Sequence, residues 1–157
     1  MEPTHESDPI TGRDAAFPFL AVGVSAIILG GLFSAATARL ASYHSAWFVA
    51  YLVLVVGVAQ VGLGLGQGRL ATKPLTVAVL FAELLLFNIG NAGVVLGSLT
   101  AEPLWVNIGS AILLVSLTIF AWMVWPARRR GALLWGFWAL LLLLFVSVFV
   151  GLFFANF

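Results

Sequence analysis

The sequence predicts an all-α protein, a polytopic bundle of five transmembrane helices with the N-terminus inside and the C-terminus outside. Of its 157 residues, 62% are apolar and only 8% are charged, and the mean hydropathy is +1.13. A small soluble domain buries only about two-thirds of the surface that its unfolded chain exposes. Much of this apolar surface would then face the solvent, which is tolerable where the solvent is lipid.

Five apolar stretches are long enough to cross a bilayer. A helix rises 1.5 Å per residue and the hydrocarbon core is about 30 Å thick, so a span needs at least about 18 mainly apolar residues. The stretches that qualify are residues 17–38, 46–66, 75–98, 104–125 and 132–155. Residues 17–157 are therefore predicted to form one five-helix transmembrane domain.

The connections between these spans are short and contain most of the turn-forming residues. They cover residues 39–45, 67–74, 99–103 and 126–131. Links of this length make neighbouring spans antiparallel. Pro74 and Pro103 are predicted near the first turn of a helix, where a missing N–H costs nothing, and Pro126 is predicted to end the fourth helix.

Lysine and arginine are distributed unequally between the two sides of the predicted bundle. Arg39 falls on one side, and the other six fall on the opposite side: Arg13, Arg69, Lys73, Arg128, Arg129 and Arg130. Cytoplasmic loops carry an excess of these residues, so the side with six is predicted to be cytoplasmic. We therefore expect a multi-pass protein of the cell membrane whose topology the three consecutive arginines help to anchor.

Residues 1–16 are polar and show no apolar period, which predicts a mobile cytoplasmic tail. An alternative is that the first span is a cleaved signal peptide, since Ala36-Thr37-Ala38 has the small residues of a cleavage site. The preceding segment disfavours this alternative. It carries several acidic residues against Arg13 alone, whereas a signal peptide begins with a positively charged region.

Glu83 is the one acidic or basic side chain inside a predicted span. It is predicted about eight residues, or roughly 12 Å, past the start of the third helix, near the middle of the membrane. An unpaired carboxylate there costs at least about 2.5 to 3.5 kcal/mol, so the group should be protonated or face a polar interior. It is either a proton or cation site or a neutral acid that holds helices together by hydrogen bonds.

Three amide side chains extend this polar region. Counting back from the second connection places Gln60 at nearly the depth of Glu83, where the two side chains could form a hydrogen bond. Asn88 and Asn91 follow on the third helix and share a face about 80 to 140° from Glu83. We predict a polar path made of Glu83, Gln60, Asn88 and Asn91.

The positions of the glycines are the second feature of the sequence that bears on structure and function. Gly93 and Gly97 have the four-residue spacing that lets helix backbones approach closely, and Gly64 belongs to a run of alternating glycines that ends the second span. Helix packing is the first interpretation, and a hinged helix end near a substrate is the alternative. A nucleotide-binding loop is excluded, because no strand precedes the run and no Gly-Lys-Ser/Thr follows it.

The sequence lacks the residues that several classes of function require. With no cysteine there is no disulfide, thiolate metal site or cysteine nucleophile, and a net charge of +1 gives no basic field for nucleic acid. His5 and His44 both lie outside the spans, so no histidine pair can bind haem within the bundle. No catalytic set can be assembled. We expect no enzyme, no metal and no cofactor.

Two functional hypotheses remain. The first is a transporter or permease-like protein in which protonation of Glu83 is coupled to the passage of a small solute or ion. Five helices enclose little volume, so it would act as a homo-oligomer or with other membrane subunits. The second is an accessory or assembly subunit of a larger membrane complex, with the apolar fifth helix and the small-residue faces as its contact surface.

Overall fold

The computed structural model describes residues 12–40, 42–126 and 131–157, and every regular element within them is helical. Five of these helices are long and apolar enough to span a membrane. They are α1 (Gly12–Thr37), α2 (Tyr43–Leu70), α3 (Val77–Thr100), α4 (Pro103–Val124) and α5 (Ala132–Asn156). The predicted all-α fold with five potential spans is confirmed, and it is consistent with a multi-pass membrane protein.

The N-terminal boundary differs from the prediction. Helix α1 begins at Gly12 instead of Phe17, and Ala15 and Ala16 in its first turns are buried. Residues 1–11 of the predicted tail lie outside the described residues, as do the three consecutive arginines at 128–130.

Local sequence explains where most of the helices begin. Ser42 and Ser45 form a capping box at the start of α2, and the Thr76 hydroxyl accepts a hydrogen bond from Val79 N–H at the start of α3. Pro103 occupies the first turn of α4, as predicted. Pro74 instead lies in the extended link before α3, because Thr76 provides the cap two residues later.

The links between the helices lie at two opposite ends of the bundle, the Lys73 end and the His44 end. The Lys73 end holds the link between α2 and α3, together with Arg13 and Arg69. The His44 end holds the α1–α2 and α3–α4 links, together with Arg39. Neighbouring helices run in opposite directions, so each link lies at one of these ends.

At the Lys73 end, the α2–α3 link closes the C-terminal end of α4. Thr72 N–H donates to the Met123 carbonyl at 3.0 Å, and Lys73 Nζ donates to the carbonyls of Trp122 and, at 2.6 Å, Trp125. The same ammonium lies 4.3 Å from the centre of the Trp122 ring. The last carbonyls of a helix have no donor within it, so these bonds tie two links together.

Helices α3 and α4 pack backbone against backbone, since glycines on both remove the side chains between them. A Cβ atom on Gly109 would lie 2.5 Å from the Val94 nitrogen and 2.6 Å from the Gly90 carbonyl oxygen. Gly93 faces Gly109, and Gly97 faces the backbone of α4 at Val106. Backbone contact of this kind is the use of small residues expected at helix interfaces in membranes.

The core of buried side chains is concentrated towards the Lys73 end. Phe19 of α1 is fully buried, lies against Gly64 of α2 and makes an edge contact with Phe120 of α4, with ring centres 5.5 Å apart. Phe137 of α5 covers Gly66 of α2. Glycines on α2 thus receive aromatic rings from two neighbours, and this brings four helices together at one end.

Replacing Gly109 with alanine should disrupt the α3–α4 contact, because the new methyl group would meet backbone atoms that cannot move aside. We expect the thermal unfolding midpoint in detergent to fall markedly. Gly136→Ala is the matched control, because a Cβ there meets nothing within 4 Å and alanine favours the helix by about 1 kcal/mol. Equal midpoints for the two variants would contradict this packing.

Candidate functional site

Glu83 lies in the second turn of α3, and its side chain is fully buried. Both of its carboxylate oxygens accept hydrogen bonds from Gln67 Nε2 of α2, at 2.8 and 2.9 Å. The Ser116 hydroxyl of α4 donates to the Glu83 backbone carbonyl at 3.2 Å. The carboxyl group is therefore sealed among three helices, with a neutral amide as its partner.

This partner is not the predicted one, because Gln60 makes no hydrogen bond with Glu83. The Gln60 side chain is fully buried, and neither its nitrogen nor its oxygen has a hydrogen-bond partner among the described residues. Gln67 Oε1 is likewise unpartnered. An unsatisfied buried polar group costs about 1 to 3 kcal/mol, so the buried amide of Gln60 destabilises the bundle.

The prediction failed because the apolar stretch of the second span stops at Gly66, which placed Gln67 in a loop. The helix continues to Leu70, since Gln67 is held by Glu83 and Leu70 is itself buried. Glu83 lies about 9 Å from the first residue of α3, roughly halfway between that end of the helix and its middle. The seven-residue spacing of Gln60 and Gln67, which puts both on one helix face, was the available signal.

A second polar pair lies further towards the His44 end. The Tyr51 hydroxyl of α2 donates to Asn91 Oδ1 of α3 at 2.7 Å, and Asn91 Nδ2 donates to the Phe87 carbonyl. Asn91 is buried. Tyr51 was not among the predicted site residues, because a single phenol in an apolar stretch gives no pattern in the sequence.

Hydrogen bonds among the described residues do not join the predicted polar residues into one network. Phe87 is fully buried and lies between Glu83 and Asn91 along α3, four residues from each. Asn88 is only half-buried, and its amide donates to the Leu84 carbonyl of its own helix. The structure therefore brings Glu83 together with Gln67, and Asn91 together with Tyr51.

Both pairs form because α2 contains a π-helical segment, Leu52–Ala59. In a regular α-helix, Tyr51 and Gln67 would point about 160° apart and could not both reach α3. The wider π turns, with hydrogen bonds to the fifth residue, rotate less per residue and reduce this offset. Nothing in the valine-rich sequence of the segment predicts it.

A cleft of 610 Å³ opens at the His44 end, between α2, α3, α4 and α5. Helix α5 packs against the Gln60–Leu70 part of α2. The cleft lies between α5 and the earlier part of α2, residues 43–55. Its lining includes the rings of Trp47 and Tyr51 and the hydroxyl-bearing residues Ser98, Ser110 and Ser147. Tyr51 belongs both to this lining and to the pair with Asn91, so the cleft reaches the second polar pair.

Two further polar features lie at the His44 end. Asn107 of α4 and Asn156 of α5 exchange amide hydrogen bonds at 3.2 and 2.9 Å, which joins the two helices beside the cleft. His44 lines the mouth of the cleft next to the Tyr43 ring. Within the described ranges, no group of three or more His, Cys, Asp or Glu residues is placed to hold a metal ion.

Comparison with protein-family models, with curated proteins and with solved structures found no match.

The two buried glutamines of α2 should respond oppositely to the same substitution. Gln60→Leu removes an unsatisfied amide and should raise the unfolding midpoint in detergent, whereas Gln67→Leu leaves the Glu83 carboxyl without its partner and should lower it. Each change corresponds to about 1 to 3 kcal/mol.

The double variant Gln67→Leu with Glu83→Leu serves as the control. Replacing both members of a buried hydrogen-bonded pair is close to neutral, so most of the lost stability should return. A loss of stability in both single variants would contradict this description of the pair.

Proposed function

We propose that this chain is a small multi-pass protein of the cell membrane that carries a small solute or ion, with protonation of Glu83 coupled to its passage. The observation that carries the proposal is the buried pair of Glu83 and Gln67. An ionisable side chain at this depth is costly and is typical of proton or ion pathways.

Gln67 is a suitable partner for both protonation states of the carboxyl group. Its Nε2 donates to both oxygens in the arrangement described, which suits a carboxylate that only accepts. A protonated acid must donate, and half a turn of the amide would present the unpartnered Gln67 Oε1 to that proton. The pair can thus gain and lose a proton without leaving Glu83 unsatisfied.

The arrangement along the bundle supports passage in stages. The cleft at the His44 end reaches Tyr51, and Phe87 separates that level from Glu83. Exchange between the cleft and the carboxyl group requires α2 to shift relative to Phe87. The π-helical segment Leu52–Ala59 lies between the two levels and is the part of α2 that can change its hydrogen-bonding pattern most readily.

The proposed orientation places the Lys73 end in the cytoplasm and the cleft outside. Arg13, Arg69 and Lys73 lie at the first end, and Arg39 lies at the other. This excess of basic residues on one side supports an N-terminus inside and a C-terminus outside.

We propose further that the chain works as a homo-oligomer and has no catalytic role. Five helices enclose little volume, and α5 exposes large side chains such as Leu142, Phe149 and Phe154 that a second copy could cover. The alternative role as an accessory subunit is less well supported. Of its two contact surfaces, the glycine face at Gly93 and Gly97 already packs against α4 of the same chain, which leaves only the apolar α5.

Glu83→Gln should abolish proton movement while keeping the shape of the side chain. Proteoliposomes loaded with pyranine and given an interior-negative potassium diffusion potential should acidify faster than protein-free liposomes. We expect the Glu83→Gln protein to acidify at the protein-free rate. Glu102→Gln is the matched control, since Glu102 is exposed at the His44 end and should leave the rate unchanged. An unchanged rate in Glu83→Gln would overturn the proposal.

The native mass of the tagged protein, extracted from its own membrane in mild detergent, tests the partner proposal. We expect a closed homo-oligomer of this chain. Other chains present in a fixed ratio would favour the accessory-subunit alternative instead.

A further inference from the structure

We infer that the cleft at the His44 end binds a neutral, largely apolar molecule that contains a flat ring and at least one hydrogen-bonding group. This inference deepens the proposed function, because such a ligand would be the solute that is carried. Four features support it: the size of the cleft, its aromatic wall, a serine hydroxyl in the lining that has no hydrogen bond among the described residues, and the charge of the lining.

The size and the lining of the cleft suit a small organic molecule. A volume of 610 Å³ falls within the range of about 300 to 1,000 Å³ that is usual for ligand sites. Most of the lining is apolar, with Val55, Leu113, Leu144 and Val148 among its side chains. Such walls favour a ligand whose surface is mainly hydrocarbon.

Two aromatic rings form one side of this space. Trp47 and Tyr51 lie one helical turn apart on α2, with ring centres 5.2 Å apart and an angle of 30° between their planes. Rings this close and this nearly parallel stack on each other with an offset, and the outer face of such a stack is a flat surface. A planar ligand can stack against it, and aromatic contacts contribute about 0.5 to 1.5 kcal/mol beyond the area that they bury.

Ser110 provides the polar contact. Its side chain lines the cleft, is only 2% exposed and forms no hydrogen bond within the described part of the chain. Other helical hydroxyls here, those of Thr37, Thr100 and Thr118, donate to the carbonyl one turn earlier. The Ser110 hydroxyl does not, so it is available to a polar group on a ligand.

The charge of the lining excludes an ionic ligand. The residues that line the cleft include no Asp, Glu, Lys or Arg, and the exposed His44 lies at its mouth. A charged molecule would lose its hydration there without meeting an opposite charge, which is strongly unfavourable. A neutral ligand avoids that cost.

The test uses 1-naphthol, a neutral planar molecule with one hydroxyl group, and the full chain in lipid nanodiscs. Equilibrium dialysis of radiolabelled 1-naphthol, corrected with empty nanodiscs, should give one saturable site per chain. Ser110→Ala should weaken binding about tenfold, the equivalent of one hydrogen bond of roughly 1.4 kcal/mol.

A bulkier variant tests the position of the site. Ser147→Trp places a large ring in the cleft from an exposed position on α5 and should abolish saturable binding. Leu142→Trp is the matched control, because Leu142 is exposed on the same helix and is absent from the lining. Loss of binding in both variants, or in neither, would overturn the assignment.

A flexible competitor separates a ring site from a groove for lipid tails. We expect 1-decanol to displace 1-naphthol poorly, since it cannot stack on Trp47 and Tyr51. Displacement by 1-decanol at equal concentration, or uptake of 1-naphthol that never saturates, would identify a lipid groove and refute the inference.

Failure here can be told apart from failure of the proposed function, because the dialysis needs no proton gradient. Glu83→Gln should bind 1-naphthol as tightly as the wild-type protein, since Glu83 does not line the cleft. Intact binding without proton movement in the wild-type protein would leave the ligand site standing and remove only the coupled transport.

Discussion

The carboxyl group of Glu83 is the constraint on which most of this structure depends. A carboxyl group buried among apolar helices must be hydrogen-bonded, and Gln67 meets that need with both oxygens. The bond fixes the position of α2 relative to α3 and explains why α2 continues past its glycine run to Leu70. The close packing around it excludes water, which strengthens the bond and raises the cost of losing it.

The two ends of the bundle differ in how closely their helices pack. At the Lys73 end, glycines of α2 receive the rings of Phe19 and Phe137, and Lys73 ties the links together. At the His44 end, helices α2 and α5 leave a cleft between them. A bundle that is closed at one end and open at the other leaves room for a ligand at the open end. Glu83 lies further towards the closed end and does not line the cleft.

The π-helical segment Leu52–Ala59 connects these two halves of the molecule. It rotates one part of α2 relative to the other, so that Tyr51 meets Asn91 while Gln67 meets Glu83. The buried Phe87 lies between the two pairs along α3. The polar groups are therefore arranged as two levels joined by a helix segment of unusual geometry, with the unsatisfied amide of Gln60 directly after that segment.

The sequence by itself determined the number of long apolar helices, their approximate limits and the presence of one costly acid, Glu83, within them. Apolar helices are recognised from the length and average hydropathy of whole segments. A lone acid in an apolar stretch is costly whatever the arrangement of the helices. Only the tertiary structure decided which side chains form hydrogen bonds with each other. Gln60 and Gln67 share one face of α2, and the choice between them depended on where α2 ends and how its π segment rotates it. The cleft and the free hydroxyl of Ser110 arise from spacing between helices, which no single segment encodes.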